Sequence, residues 1–437
     1  MIISRDIEAK IQAYLDSPEL HSNVLLVHGA RQVGKTLICT QVLSRLQQTR
    51  PCTTVNLEER PDLKLAMDEC RSFSDFVVLL KTKLGFDPGN NAVLFIDEAQ
   101  ESKALGGFVR FMKEKWPHTK CILTGSSMSR LFDKDARIPV GRTQSVVVRP
   151  CTFREFLRAK DLEATFDLHL KMQASISTII HEQLLKIFDE YLLVGGLPAA
   201  VVAHVEGGDY RQIQAMIFAS QRDDFYRKEK LKEHLFTDAM KTVARQLGNS
   251  SMLSHITPSH RDARHVVEAL KAWNLLLEIE QTGSAPTQSF HPKWYLYDLG
   301  ILTFLRLGAL PTISLLDTLD PALRTPLGGI VENAVLLQIQ ALEMSKNYQK
   351  VFGWKKNHKQ GIEVDFVINQ TMIDHEKIYP IEVKASQHIN SHDVSNLKHF
   401  LQFSGLKKAF VMALERPKTI KLESAEIEVI PIYCELA

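Results

Sequence analysis

Gly29, Gly34, Lys35 and Thr36 fill the spacing G-x-x-x-x-G-K-[ST] within LLVHGARQVGKTL, directly after an apolar run and ahead of a helix-like one. Such a segment binds phosphate. Its glycines let backbone N–H groups turn inward, so Gly29, Ala30, Arg31, Gln32, Val33 and Gly34 form a cradle for the phosphate oxygens of ATP. The start of the following helix adds partial positive charge. Lys35 reaches the β and γ phosphates, and Thr36 holds Mg²⁺. Binding alone is not hydrolysis, and a second acidic element supplies the rest. In NAVLFIDEAQ the apolar run Val93 to Ile96 precedes Asp97 and Glu98. A buried strand of this kind delivers both carboxylates to the C-terminal end of a parallel sheet, where such sheets bind ligands. Asp97 is expected in the metal shell and Glu98 as the catalytic group that orients or deprotonates water; the plain alternative is a strand ending in two solvated acids. A third run, KCILTGSS, ends in Thr124, Ser126 and Ser127. Lying between the other two strands, it would bring a hydroxyl near the γ-phosphate, although the same residues also make a good turn and helix cap. Arg31 and Arg142 are candidates for stabilising charge on the transferring phosphoryl group. A neighbouring subunit of a homo-oligomer is an equal source of such an arginine.

A second set lies near the other end of the chain: Glu332 on a helix pattern, Asp365 in IEVDFVI, and Glu382 and Lys384 in PIEVKAS. On a strand, residues 382 and 384 share a face. The stretch from Asp365 to Glu382 is long enough for a strand to turn and return as a hairpin partner, with the two acids facing each other. Glu332, Asp365 and Glu382 would then form an oxygen site for Mg²⁺ or Mn²⁺, with Glu382 and Lys384 serving catalysis on a phosphodiester. Glu-x-Lys alone is common, and a cross-strand salt bridge is its ordinary reading. Next to this set, KVFGWKKNHKQ gathers Lys350, Lys355, Lys356, His358 and Lys359 around Phe352 and Trp354. That composition suits phosphate neutralisation with base stacking, or equally an exposed strand edge guarded by lysines. The mixed-sign run RKEKLKEH (227–234) reads as a helix face.

The elements that must position these residues change character along the chain. From 23 to 149, short apolar runs alternate with helix-like segments, as in a parallel α/β domain. From 151 to about 203 the pattern is helical, and from 210 to 282 three helical patterns and a strand fit a small winged-helix unit. After Pro292 a second α/β pattern follows. The composition, 45% apolar and 24% charged in 437 residues, is that of a folded globular chain and excludes disorder. With 53 Lys+Arg against 51 Asp+Glu, a nucleic acid or anionic membrane must be met by a local patch. The longest apolar run, Tyr191 to Val205, is interrupted by Gly195, Gly196 and Pro198, so no membrane partner is expected. The charged start lacks a secretory pattern. Six scattered cysteines without C-x-x-C argue against zinc and disulfides, and together these features suggest a reduced, cytoplasmic protein.

GARQVGKT, LFIDEAQ, LTGSS and the Gly-Arg before RPCTFREFL together resemble the AAA+-type P-loop ATPases of prokaryotes that carry a C-terminal restriction-endonuclease-like domain. The resemblance continues through YLLVGGLPAAV into the C-terminal acids, whose order resembles the PD-(D/E)xK nucleases, except that Val364 stands where that pattern has proline. It implies an α/β fold: a P-loop NTPase core with a parallel sheet over 1–150, a helical lid over 151–208, a winged-helix-like segment over 209–290 and a restriction-endonuclease-like domain over 291–437. It also implies ATP and Mg²⁺ as cofactors and DNA as partner. The expected function is ATP hydrolysis coupled to a DNA-binding, Mg²⁺-dependent nuclease domain. A nucleotide-gated switch or scaffold that binds DNA or protein without cutting is the alternative.

Overall fold

Strands buried on both faces are apolar along nearly their whole length, as Val24–His28, Val93–Asp97 and Lys120–Gly125 are, and these three form the middle of one parallel sheet whose edge strands, Cys52–Asn56 and Thr143–Val147, are more polar and half-exposed. The computed structural model describes all residues except 19–23, 90, 127–130, 133–140, 286–287, 289, 307–312, 314–320, 344–348, 358–360, 372–375 and 437. The chain divides into two compact units, one of Ser4–Arg149 with Ala272–Asn274, the other of Met1–Ile3, Pro150–Lys271 and Leu275–Ala437.

In the first unit, α1 (Ile7–Asp16), β1 (Val24–His28), α2 (Lys35–Leu46), β2 (Cys52–Asn56), α3 (Pro61–Glu69), α4 (Phe73–Leu84), β3 (Val93–Asp97), α5 (Leu105–Lys115), β4 (Lys120–Gly125) and β5 (Thr143–Val147) follow in order. The sheet runs β2-β3-β4-β1-β5 with every pairing parallel. Thus β4 does lie between the phosphate-loop strand β1 and the acidic strand β3. One sheet face, with Val24, Leu26, Leu94, Ile96 and Leu123, packs in a single cluster with Phe76 of α4 and Phe108 of α5. The Ser72–Asp75 capping box fixes where α4 begins.

The second unit opens with four helices, α6 (Phe153–Ala159), α7 (Glu163–Leu170), α8 (Thr178–Val194) and α9 (Pro198–Val205). Then come α10 (Tyr210–Glu229), α11 (Glu233–Arg245), α12 (His260–Ala272), β6 (Leu276–Ile279), β7 (Gln281–Gly283), β8 (Lys293–Leu296), α13 (Leu299–Leu305) and α14 (Pro321–Glu343). The run 227–234 is therefore not one helix face. Lys230 takes a left-handed conformation at φ 54°, ending α10 before α11 begins.

The remaining elements are β9 (Gln349–Lys355), β10 (Glu363–Thr371), β11 (Glu376–Lys384), α15 (Ser395–Ser404), β12 (Lys408–Ala413), β13 (Lys418–Lys421) and β14 (Glu426–Pro431). They build a mixed sheet of order β13-β14-β12-β11-β10-β9-β7. Its cluster with α15 contains Trp354, Val364, Val367, Leu397 and Phe400. Trp354 is 3% exposed, with its ring centroid 5.0 Å from that of Phe400, so it is a core residue and not a stacking platform for a base. Nor is β9 an edge, because β10 and β7 flank it. Lys350 pairs with Glu280 and Lys355 with Glu363, which cancels much of the charge of this hairpin; His358 and Lys359 lie outside the described residues.

Candidate functional site

The loop after β1 turns back so tightly that a Cβ on Gly29 would lie 2.0 Å from the carbonyl oxygen of Val148, and its φ is +148°. Only glycine fits there. At the other end of the loop Lys35 opens α2, buried, with Nζ donating to the carbonyls of Gly29 (3.1 Å) and Ala30 (2.8 Å). Its burial pulls the ammonium down from 10.5 to about 8. His28, just before the loop, is held down to about 4 by burial and then by the positive charges of Arg149 and Lys35. A positive, partly dehydrated recess of this kind favours an anion.

Thr36 Oγ1 donates to Asp97 Oδ2 at 2.7 Å, so the loop residue and the acid at the end of β3 are brought together. Asn56 Nδ2 donates to the same oxygen at 3.2 Å, Thr124 Oγ1 donates to Oδ1, and the Glu98 amide donates to Oδ1 at 3.1 Å. A buried carboxylate beside a hydroxyl, with no ammonium on it, fits a hard cation such as Mg²⁺. Glu98 sits in a left-handed turn at φ 50° and accepts from Gln100 Nε2. Arg31 and Gln32 lie in the loop, and Val33 is buried. Ser126 is buried past the end of β4, while Ser127 lies outside the described residues.

Arg142 is not brought to this loop. Its carbonyl accepts from Val24 N at the start of β1, the strand end opposite the loop, and its guanidinium pairs with Glu114 at 3.1 Å. Spacing along the chain did not reveal the direction of β5. Arg5, Asn56 and Thr124 complete the site. Arg5 is 6% exposed, with Nη1 on the Val33 carbonyl (3.2 Å) and Nη2 on that of Arg149 (2.8 Å), so it clamps the loop from behind. Sequence reasoning missed Arg5 and Asn56, and for Arg5 no local pattern marks the role.

In the second unit, β10 and β11 pair as an antiparallel hairpin, and Asp365 Oδ2 accepts from Val383 N at 2.9 Å. Glu382 Oε1 accepts from Lys384 Nζ at 2.8 Å. The pairing of β10 with β9 slips between Val364 and Val367, a bulge. Val364 and Val367 both enter the α15 cluster, and the residues between them face the other way: Phe366 meets Tyr295 and Asp365 meets Lys293. Lys293, 1% exposed, donates to Glu332 Oε1 (2.9 Å) and Asp365 Oδ1 (3.1 Å), and Tyr295 OH also donates to Glu332. Burial and then Asp365 push Glu332 up to about 7 and Glu382 up to about 8. Burial opposes the charge on Lys293, yet Glu332 and the neighbouring acids outweigh it and raise the ammonium.

The acids expected to hold a metal do converge, but around a lysine. Among the described residues no cluster of acids, histidines and cysteines is arranged to hold an ion. With Lys293 in place Glu332, Asp365 and Glu382 do not fit a divalent cation. Lys293 escaped sequence reasoning because only the path of β8 brings it to the acids.

Comparison with known proteins gives the class. Residues 21–157 match a family model described as an AAA domain, whereas 185–311 and 327–434 match models of domains of unknown function. Most of the first unit is thus similar to AAA domains, and the phosphate loop lies within the matched segment. An uncharacterized protein of Methanocaldococcus jannaschii is 22% identical over 371 residues, 84% of this chain and 75% of that one. An uncharacterized protein of Haemophilus influenzae is 24% identical over 182 residues, 41% of this chain and 40% of that one. Among solved structures, the Aeropyrum pernix ORC1 protein in complex with DNA aligns with 72% of this chain and 95% of its own at 14% identity and TM-score 0.31. The Thermotoga maritima RuvB Holliday junction branch migration motor aligns with 63% and 89% at 15% identity and TM-score 0.29. No described helix is long and apolar enough to cross a membrane.

Proposed function

We propose that the protein hydrolyses ATP at the first unit, and that its second unit binds DNA without cutting it, with an affinity set by the nucleotide state. One observation carries the reading: Thr36 and Asp97 stand 2.7 Å apart beside a buried lysine and a glycine-bounded loop. Mg²⁺ held by Thr36 and Asp97 would supply charge neutralisation on the phosphates. Lys35 exchanges the carbonyls of Gly29 and Ala30 for phosphate oxygens, the N–H groups of residues 29–34 take others, and Glu98 orients or deprotonates the attacking water. With Arg142 turned to Glu114, any arginine acting on the phosphoryl group is Arg31 or comes from a second copy of the chain.

The test combines fluorescent-nucleotide binding with phosphate release. Lys35→Ala loses binding, while Glu98→Gln binds ATP and turns over roughly 10²–10⁴-fold more slowly. A Lys35→Ala protein with wild-type turnover refutes the reading.

The DNA assignment is supported by α12, whose Ala263, Val266, Val267 and Leu270 are buried while His260, Arg261, Arg264 and His265 are exposed on the outward face. The guanidinium groups of Arg261 and Arg264, so spaced on a helix, meet phosphates. Arg261→Ala and Arg264→Ala each lower DNA affinity and reduce the salt slope by about one. Plasmid stays intact with Mg²⁺ or Mn²⁺; cleavage by the wild type that is lost in Glu382→Ala and Lys384→Ala restores the nuclease reading.

A further inference from the structure

We infer that Lys293 is the resident cation of the acid cluster, and that the second unit carries a latent divalent-cation site closed by this lysine. The Nζ atom lies 2.9 Å from Glu332 Oε1, 3.1 Å from Asp365 Oδ1 and 3.8 Å from Glu363 Oε1, where an ion shared by these acids would stand. An ammonium is a compact point charge and fills that place well. Its strand holds it there: residues 293 and 295 of β8 share a face, and Tyr295 donates to the same Glu332 oxygen.

Charge balance points the same way. With all four carboxyls ionised, as ligation of a metal requires, Glu332, Glu363, Asp365 and Glu382 face Lys293, Lys355 and Lys384 through these contacts, which leaves one negative charge. Adding a divalent ion would overshoot to one positive, whereas exchanging Lys293 for that ion closes the balance at zero. One oxygen is already in waiting: Glu382 is 3% exposed and its Oε2 is buried with no hydrogen-bond partner. Removing the lysine takes the ammonium off Glu332 Oε1, which keeps its bond from Tyr295, and off Asp365 Oδ1, and with Glu382 these acids supply oxygen donors for Mg²⁺ or Mn²⁺.

The inference does not depend on ATP hydrolysis. It shares with the proposed function only the absence of cleavage, and its test reads metal binding. Mn²⁺ is titrated against the full chain without nucleotide, followed by the paramagnetic signal of free Mn²⁺ and by thermal unfolding. Lys293→Ala should take up one Mn²⁺, with a rise in melting temperature of roughly 5 °C at saturating metal. That uptake is lost in Lys293→Ala/Glu382→Gln. Wild type and Lys293→Arg should show neither effect. A folded Lys293→Ala that takes up no Mn²⁺ overturns the inference. Should that variant not fold, the wild type decides against Glu382→Gln: matching titrations are the expected result, and one Mn²⁺ bound by the wild type but not by Glu382→Gln overturns it. A wild type that cuts DNA without such binding refutes the proposed function alone.

Discussion

Asp97 of the first unit and Asp365 of the second are both buried carboxylates on strands, and they differ in what surrounds them. Asp97 accepts from the hydroxyls of Thr36 and Thr124, the Asn56 amide and the Glu98 N–H, all neutral donors. Asp365 accepts from a backbone N–H and from the ammonium of Lys293. Neutral donors orient a carboxylate without tying it into a direct ion pair, and leave its oxygens available to a cation that comes and goes with its ligand. An ammonium balances that charge permanently, and the carboxylate becomes part of the scaffold. Acidic residue type therefore says little about metal binding until the neighbours are known.

The largest effect that would break this comparison concerns Lys293. Replacing it by Met strands Glu332 and Asp365, and the second unit should lose ~3–5 kcal/mol in urea unfolding; a change below ~1 kcal/mol would show that the ion pairs are dispensable. Next comes the pH dependence of the same unit. A carboxyl raised on folding, from 4.5 to about 8 for Glu382, contributes stability that is complete below its ordinary value and is lost as pH rises toward 8. The wild-type melting temperature should fall between pH 5 and 8, and Glu382→Gln should flatten the curve; parallel curves would remove Glu382 as the cause.

A smaller effect is expected at the phosphate loop. Burial holds the Lys35 ammonium down to about 8, and bound phosphates would keep its proton on, so ATP affinity should drop by up to about tenfold per pH unit above 8. Lys35→Arg, always charged, should abolish that slope. Smallest of all, Arg142→Ala should leave ATP affinity unchanged, since Arg142 is paired with Glu114 at the far strand end; a tenfold loss would contradict that placement.

The phosphate loop and the acidic strand were legible because their chemistry is written in short, contiguous spacing: Gly29 to Thr36 is one turn, and Val93 to Glu98 one strand. Short runs alternating with helix-like segments likewise announced the parallel sheet, its three inner strands being the apolar, buried ones. What was not legible depends on which strands become neighbours. Asn56 meets Asp97 only because β2 lies beside β3, and Arg142 misses the loop because β5 runs parallel to β1 and starts at its far end. Trp354 looked like a nucleic-acid contact among lysines until α15 covered it. At Asp365 the strict alternation of a strand gives way to a bulge, which composition does not reveal.

That bulge makes chain length itself a chemical variable. Without the bulge, with the same residues and Val367 held in its layer, strict alternation along β10 would turn Asp365 from one layer of the sheet to the other. An acid rotated toward the layer of Trp354 and Phe400 would face only hydrocarbon, and Lys293 would lose a counter-charge without itself being mutated. The extra residue that the bulge takes up therefore decides whether this part of the molecule is an ionic network or an oily slab.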